Sequence, residues 1–300
     1  MKVAALGHAT LDHVFGVEAV SLPPAKLRAR TYARRVGGMG AVAALAARAA
    51  GAEVAFIGRV GDDPSGEAVR ERLDSAGIDT TRLRAFPMAQ TPVAAVLVDA
   101  RGERLTAGYR GSALPGDPGW VEVPACDAVC TDPRWPPGAA LILREARARG
   151  IPSVLDAELT EGDILEHLVP LASHPVFSET GLAAWRAGPQ EAALRIAVAS
   201  GAKVAAVTLG ERGVLAWDGT SFLRLPAYRV EVRDTTGAGD TYHGALATAL
   251  AEGRALPDAL RFAAAASAIL VSRSGPDREL ASSAEIAALM ERDDTVPLPA

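Results

Sequence analysis

Short apolar runs alternate with helical stretches along almost the whole chain, and this alternation limits the folds open to it. Residues 3–7, 54–57, 128–131, 154–156, 176–178 and 204–208 read as strands. Residues 40–50, 65–76 and 137–149 read as helices, and Gly51, Gly77 and Gly150 follow them as C-cap signals. Such alternation implies an α/β fold with a mostly parallel sheet covered on both faces. Ligands on such sheets bind beyond the carboxyl ends of the strands. With 300 residues, 49% of them hydrophobic, the chain can bury one large core, or a main domain plus a small appendage. We read residues 1–300 as one domain.

Two segments break the pattern. Residues 26–36 and 91–111 alternate polar and apolar side chains without intervening helices, and Asp99-Ala100-Arg101-Gly102 is a turn signal between two strands. They fit a small antiparallel sheet standing apart from the main one, or an edge extension of it. The C-terminal residues 292–300, with two prolines, are expected to fray.

A net charge of −5 argues against a nucleic-acid partner. No apolar run approaches the ~20 residues that a membrane span needs. Residues 3–7 read as a buried first strand, because a signal peptide needs a longer apolar region and a cleavage site. Cys126 and Cys130, four apart in one expected strand, lack metal spacing and point to a reducing cytoplasm.

The most chemical stretch is Asp234-Thr235-Thr236-Gly237-Ala238-Gly239-Asp240. It follows an extended, alternating segment, 222–233, and opens a small-residue helix, 241–252. A helix N-terminus exposes unpaired N–H groups and partial positive charge. Gly237 and Gly239 let the backbone approach an anion closely, so the turn is a phosphate cradle. Asp240 then stands where a phosphoryl group would be transferred. A carboxylate there would repel its ligand unless it accepts a proton from an attacking hydroxyl. At a helix N-terminus it is expected to have a low pKa and stay ionised. There is neither a Walker A sequence nor a dinucleotide fingerprint.

The loop resembles the signature of the ribokinase/PfkB sugar-kinase family. Gly37-Gly38-Met39-Gly40 is similar to that family's sugar motif. Residues 57–66, Ile-Gly-Arg-Val-Gly-Asp-Asp-Pro-Ser-Gly, and Thr208-Leu209-Gly210-Glu211-Arg212-Gly213 are similar to two more of its segments. The resemblance covers about residues 1–290. It implies a three-layer ribokinase-like sandwich with a small antiparallel β lid over the sugar, formed by about 13–36 and 88–112. It also implies ATP and Mg²⁺ as cofactors, a possible monovalent cation near the backbone at Asp234, and a homodimer through the lid.

The same resemblance implies roles for particular residues. Asp240 would be the catalytic base, with the amides of Gly237, Ala238 and Gly239 stabilising the transferring phosphoryl group. Asp12, which follows the first strand and so lies at the sheet's carboxyl edge, would bind sugar hydroxyls by accepting two hydrogen bonds, and Gly37 and Gly38 would bring backbone to the sugar. Thr208, Gly210 and Gly213 would line the nucleotide, and Ala264 and Ala268 would form an adenine wall.

Three departures stand out. Residues 41–44, Ala-Val-Ala-Ala, lack the Asn that many members carry, so the substrate should differ from ribose. Ser178 and Gly181 replace the Asn and Glu of the family's Asn-x-x-Glu motif, leaving Glu179 as the candidate on the magnesium side. Lys26, Arg28 and Arg134 gather expected cations at the sugar end, which favours an anionic substituent. Lys26 and Arg134 match sulfofructose kinase, whereas Gly108 stands where that branch has an Asn. His243, one turn after Asp240, reads as helix packing.

The leading reading is an ATP-dependent kinase of a ketohexose or related sugar. Vitamin-type hydroxymethyl kinases share the scaffold but lack the lid strands that 91–111 supplies. A silent sugar- or nucleotide-binding regulator would carry an eroded loop before Asp240, and the loop is intact.

Overall fold

The computed structural model describes residues 1–20, 27–99, 104–275 and 278–296. Its strands are β1 (Lys2–Leu6), β2 (Thr10–Gly16), β3 (Thr31–Gly37), β4 (Glu53–Gly61), β5 (Asp79–Phe86), β6 (Val93–Val98), β7 (Arg104–Tyr109), β8 (Ala128–Thr131), β9 (Ser153–Ala157), β10 (His174–Ser178), β11 (Ala205–Thr208), β12 (Val214–Trp217) and β13 (Phe222–Leu225). The helices are α1 (Met39–Ala49), α2 (Pro64–Ser75), α3 (Pro136–Arg149), α4 (Ile164–Leu168), α5 (Glu179–Trp185), α6 (Gln190–Ala199), α7 (Ala238–Ala251), α8 (Leu256–Val271) and α9 (Ser283–Arg292).

Nine strands form the main sheet in the order β13-β12-β11-β10-β9-β8-β1-β4-β5. It is parallel except at its β11-β12-β13 edge. Alternation along β1 sends Val3 and Ala5 to one face and Ala4 and Leu6 to the other. On the first face they meet α1, α7, α8 and α9, and on the second α3, α4, α5 and α6. The strand is apolar throughout because both faces are covered. This is the expected three-layer sandwich. None of the described helices is long and apolar enough to cross a membrane.

The second sheet has the order β3-β2-β6-β7. Its outer pairs are antiparallel, but β2 and β6 at its centre run parallel. Alternation reveals strands and not their order, so that pair was not legible. The expected turn at 99–102 lies mostly outside the described residues. Asp12 follows β1 as expected, but it lies within β2 and therefore belongs to the small sheet.

Two further expectations change. Only 222–225 of the segment 222–233 forms a strand; beyond it Tyr228 makes a single bridge to Thr295. Cys126 precedes β8, while Cys130 is buried within it, and both are free thiols.

The 57–66 motif proves to be architectural. Asp63 caps α2 by accepting from Gly66 N at 2.8 Å, and accepts from Thr91 N and Oγ1 at 2.8 and 2.7 Å. One carboxylate thus ties α2 to the entry of β6.

Candidate active site

The ends of β1 and β8, the small sheet and the start of α7 enclose a cleft of about 1230 Å³. Its lining includes His8, Asp12, Arg34, Arg35, Gly37, Gly38, Arg134, Gly237 and Asp240. The strand–loop–helix order delivers these residues from distant parts of the chain to one sheet edge.

Asp12 sits opposite Arg35 across the β2–β3 pair, with Oδ2 3.8 Å from Arg35 Nε. A Cβ on Gly37 would lie 2.2 Å from Asp12 Oδ2, so a larger residue there would displace the carboxylate. Arg134 follows β8; its backbone N–H donates to Asp132 Oδ1 at 2.8 Å. Its guanidinium has no carboxylate within ion-pair distance among the described residues. Arg28 is exposed before β3 and is not part of the cleft wall, because the strand it was assigned to begins only at Thr31. Lys26 lies outside the described residues.

At the start of α7, Gly237 takes the left-handed conformation, with φ +70°. Gly239 does not; a Cβ built on it meets only His243 Cε1, at 4.0 Å. Open space therefore lies over the first turn of the helix, where exposed N–H groups favour an anion. The amide of Ala238 already donates to Thr235 O at 3.2 Å, so the turn itself engages one of the three amides named from the sequence.

Asp240 sits in the first turn of α7, and its pKa is raised to about 8. Burial is the main cause, and the charge of Asp156 comes next; Asp132 and Glu158 add to it, while His243 pulls the other way. The expected low pKa is overturned. The field of a helix terminus is weaker than burial beside carboxylates that β8 and β9 bring to the same edge. Asp156 is itself pushed well above the carboxylate range by burial, then by Asp132 and Glu158.

Behind Asp240, His243 is buried, with Nε2 3.2 Å from Val176 O and Nδ1 3.2 Å from Asp156 Oδ2. A carbonyl only accepts, so Nε2 carries the proton. Nδ1 then faces the Asp156 carboxyl, although not in hydrogen-bond alignment. His243 is thus part of the electrostatic setting of Asp240 and not packing alone.

The sequence pattern of the pfkB family of carbohydrate kinases matches residues 1–282. The chain belongs to the pfkB family. As a pfkB carbohydrate kinase it is an ATP-dependent sugar kinase. It is 27% identical to a ribokinase of Haemophilus influenzae over 95% of this chain and 97% of the relative. It is 31% identical to an ATP-dependent ribose-1-phosphate kinase of Halopiger xanaduensis over 98% and 100%. Among solved structures, one from Agrobacterium tumefaciens superposes with a TM-score of 0.89 at 30% identity, covering 97% of each chain. The Arabidopsis thaliana ribokinase complexed with ribose and ATP shares the fold, with a TM-score of 0.82, 24% identity and coverage of 97% and 98%.

The remaining sites expected of a pfkB kinase lie outside this cleft's wall. Thr208 ends β11 and donates to Phe177 O at 3.3 Å. Gly210 and Gly213 bound the turn before β12. Gly213 has a packing reason of its own, since a Cβ would lie 1.9 Å from Leu225 O. Ala264 and Ala268 pack into the core beneath α8.

Glu179 opens α5 and is 2.5 Å from Arg212 and 3.1 Å from Gln190. That pairing does not fit a magnesium ligand, and no three His, Cys, Asp or Glu residues among those described converge as a metal cluster. Magnesium typically retains water and arrives on nucleotide phosphates. Ser178 instead caps α5, accepting from Gly181 N at 2.9 Å and donating to Glu158 at 3.0 Å. A Cβ on Gly181 would lie 2.3 Å from Ala157 O, which leaves no room for the family's Glu.

Arg34, Arg35, Asp132, Asp156 and Glu158 were missed in the sequence. Arg34-Arg35 directly before Val36-Gly37-Gly38 was the available signal. The acids carry no local signature, because only the strand order brings them together.

Proposed function

We propose that this kinase transfers the γ-phosphoryl group of ATP to a hydroxyl of an anionic sugar, one bearing a phosphate or sulfonate. The sugar oxygen attacks the γ-phosphorus, the bond to the bridging oxygen of ADP breaks, and Asp240 takes the hydroxyl proton. A carboxylate with a pKa near 8 is well matched to that task close to neutral pH. The amides of Gly237 and Gly239 stabilise the transferring oxygens. Asp12 and the backbone at Gly37 and Gly38 orient the sugar. The nucleotide extends toward Thr208, Gly210 and Gly213.

The observation that carries the anionic assignment is Arg134, facing the cleft with no carboxylate partner among the described residues while Arg34 and Arg35 line the same wall. The 31% identity to a kinase of ribose-1-phosphate supports it. The test is a pair of titrations, anionic against neutral sugar, on wild type and Arg134→Ala. The expected result is a KM for the anionic sugar raised roughly 10- to 100-fold, the scale of one charge-assisted contact, with the neutral sugar little changed. A wild type that prefers the neutral sugar, together with no effect of Arg134→Ala, would overturn the anionic assignment.

A further inference from the structure

The loop that opens α7 is clamped by Arg278, which itself lines the cleft. Its guanidinium donates through Nη1 to the carbonyl of Asp234 and through Nη2 to the carbonyl of Thr236. Nη1 also lies 3.2 Å from Asp234 Oδ2. The side chain is 6% exposed. Asp234 in turn shapes the loop, its Oδ1 accepting from Thr236 N at 2.9 Å and Thr236 Oγ1 at 2.7 Å. Two carbonyls and one carboxylate thus converge on one positive group. A small monovalent cation would use the same three oxygens, and the guanidinium leaves no place for it. The implied cation therefore does not fit here.

A planar trans peptide fixes the consequence. The carbonyl of Thr236 and the N–H of Gly237 belong to one peptide unit and point in opposite senses. A donor that holds the carbonyl therefore holds the amide that follows it. Gly237 lines the cleft beside Asp240. Arginine is suited to this because it stays charged and presents several donors in a rigid fork.

We propose that Arg278 is the resident cation of the phosphate loop, a positioning residue that aims the Gly237 amide and makes the kinase independent of potassium and sodium. The inference rests on the reading of the loop as the anion site. Nucleotide binding measured without sugar distinguishes its failure from a wrong sugar assignment.

The experiment compares wild type, Arg278→Ala and Arg278→Lys in tetramethylammonium chloride, with potassium, sodium or guanidinium chloride substituted at constant ionic strength. ADP affinity, kcat and thermal midpoint are measured for each. Wild type is expected to show the same values in every salt. Arg278→Ala should lose roughly tenfold or more in kcat, the scale of a lost charged hydrogen bond, with the sugar KM little changed. Potassium or guanidinium should restore several-fold of its kcat and raise its thermal midpoint, and tetramethylammonium should not. Arg278→Lys keeps the charge but not the fork and should fall between the two, which keeps the test open if the alanine variant folds poorly. Activation of wild type by potassium, wild-type kcat in both variants, or a loss that no cation restores would each overturn the proposal.

Discussion

Asp240 is both the group the reaction needs ionised and one the fold prefers neutral. Its pKa is about 8 in the folded chain against an ordinary aspartate value of 3.8. Between those values the folded state holds a proton that the unfolded state has lost, so its contribution to stability falls as pH rises, and the full penalty is present above about 8. Asp240→Asn should therefore melt higher than wild type above pH 8, by a margin that shrinks as pH falls toward 4. The same variant should lose at least ~10²-fold in kcat, the scale of general-base catalysis. Melting curves that coincide at every pH would show that the carboxylate is not strained by its surroundings. Asp156 offers the complementary test. Removing its charge takes away the largest charged cause of the shift, while Asp132 and Glu158 still raise the pKa and His243 still lowers it. The acid limb of kcat/KM should move to lower pH in Asp156→Asn. An unmoved limb would mean that another group governs it.

At the scale of elements, the two glycines at the start of α7 do different work. Gly237 has φ +70°, where a branched side chain is strained, whereas Gly239 has an ordinary helical backbone and open space beside it. Gly239→Val should leave the thermal midpoint near wild type and sharply reduce kcat, because the added methyls occupy the volume assigned to phosphate. Gly237→Val should lower both. Equal losses in the two variants would make the turn a structural one. This contrast also shows what was legible. The motif marked the loop, the helix it opens and Asp240, because glycine spacing and an acidic first turn are local signals. It could not say which glycine carries the positive φ, nor that the Ala238 amide is spent within the turn. Likewise Gly181 read as a missing ligand until the Ala157 carbonyl filled the space where a side chain would stand. Strand order, Asp12's place in β2 and the gathering of Asp132, Asp156 and Glu158 depend on pairings between distant segments. No local pattern encodes them.

At the scale of the whole molecule, the small sheet has two faces with different tasks. Asp12 faces one way, and strand alternation turns Phe15, three residues on, the other. Phe15 stands opposite Tyr32 on β3 and Leu97 on β6, and Leu97 stands opposite Leu105 on β7, so these residues share that second face. The Phe15 and Tyr32 rings are 5.2 Å apart, and Tyr32 hydroxyl is 2.9 Å from His13 Nδ1. Tyr32 is nevertheless 55% exposed, and Tyr109 at the sheet's edge is 44% exposed. An aromatic and aliphatic face on a four-stranded sheet, flanked by His13 and the exposed Arg34, favours burial against another surface. If that surface is the same face of a second copy, the contact needs only one self-complementary patch. The native chain should then scatter light as twice its 31.0 kDa. Tyr32→Glu places a charge within that patch, on the edge strand β3, and should yield monomer. Because the same sheet carries Asp12 and Arg35, the monomer should also show a raised KM for sugar with its ADP affinity unchanged. A native chain that scatters as a monomer, or a Tyr32→Glu variant that remains paired, would rule out this face as the interface.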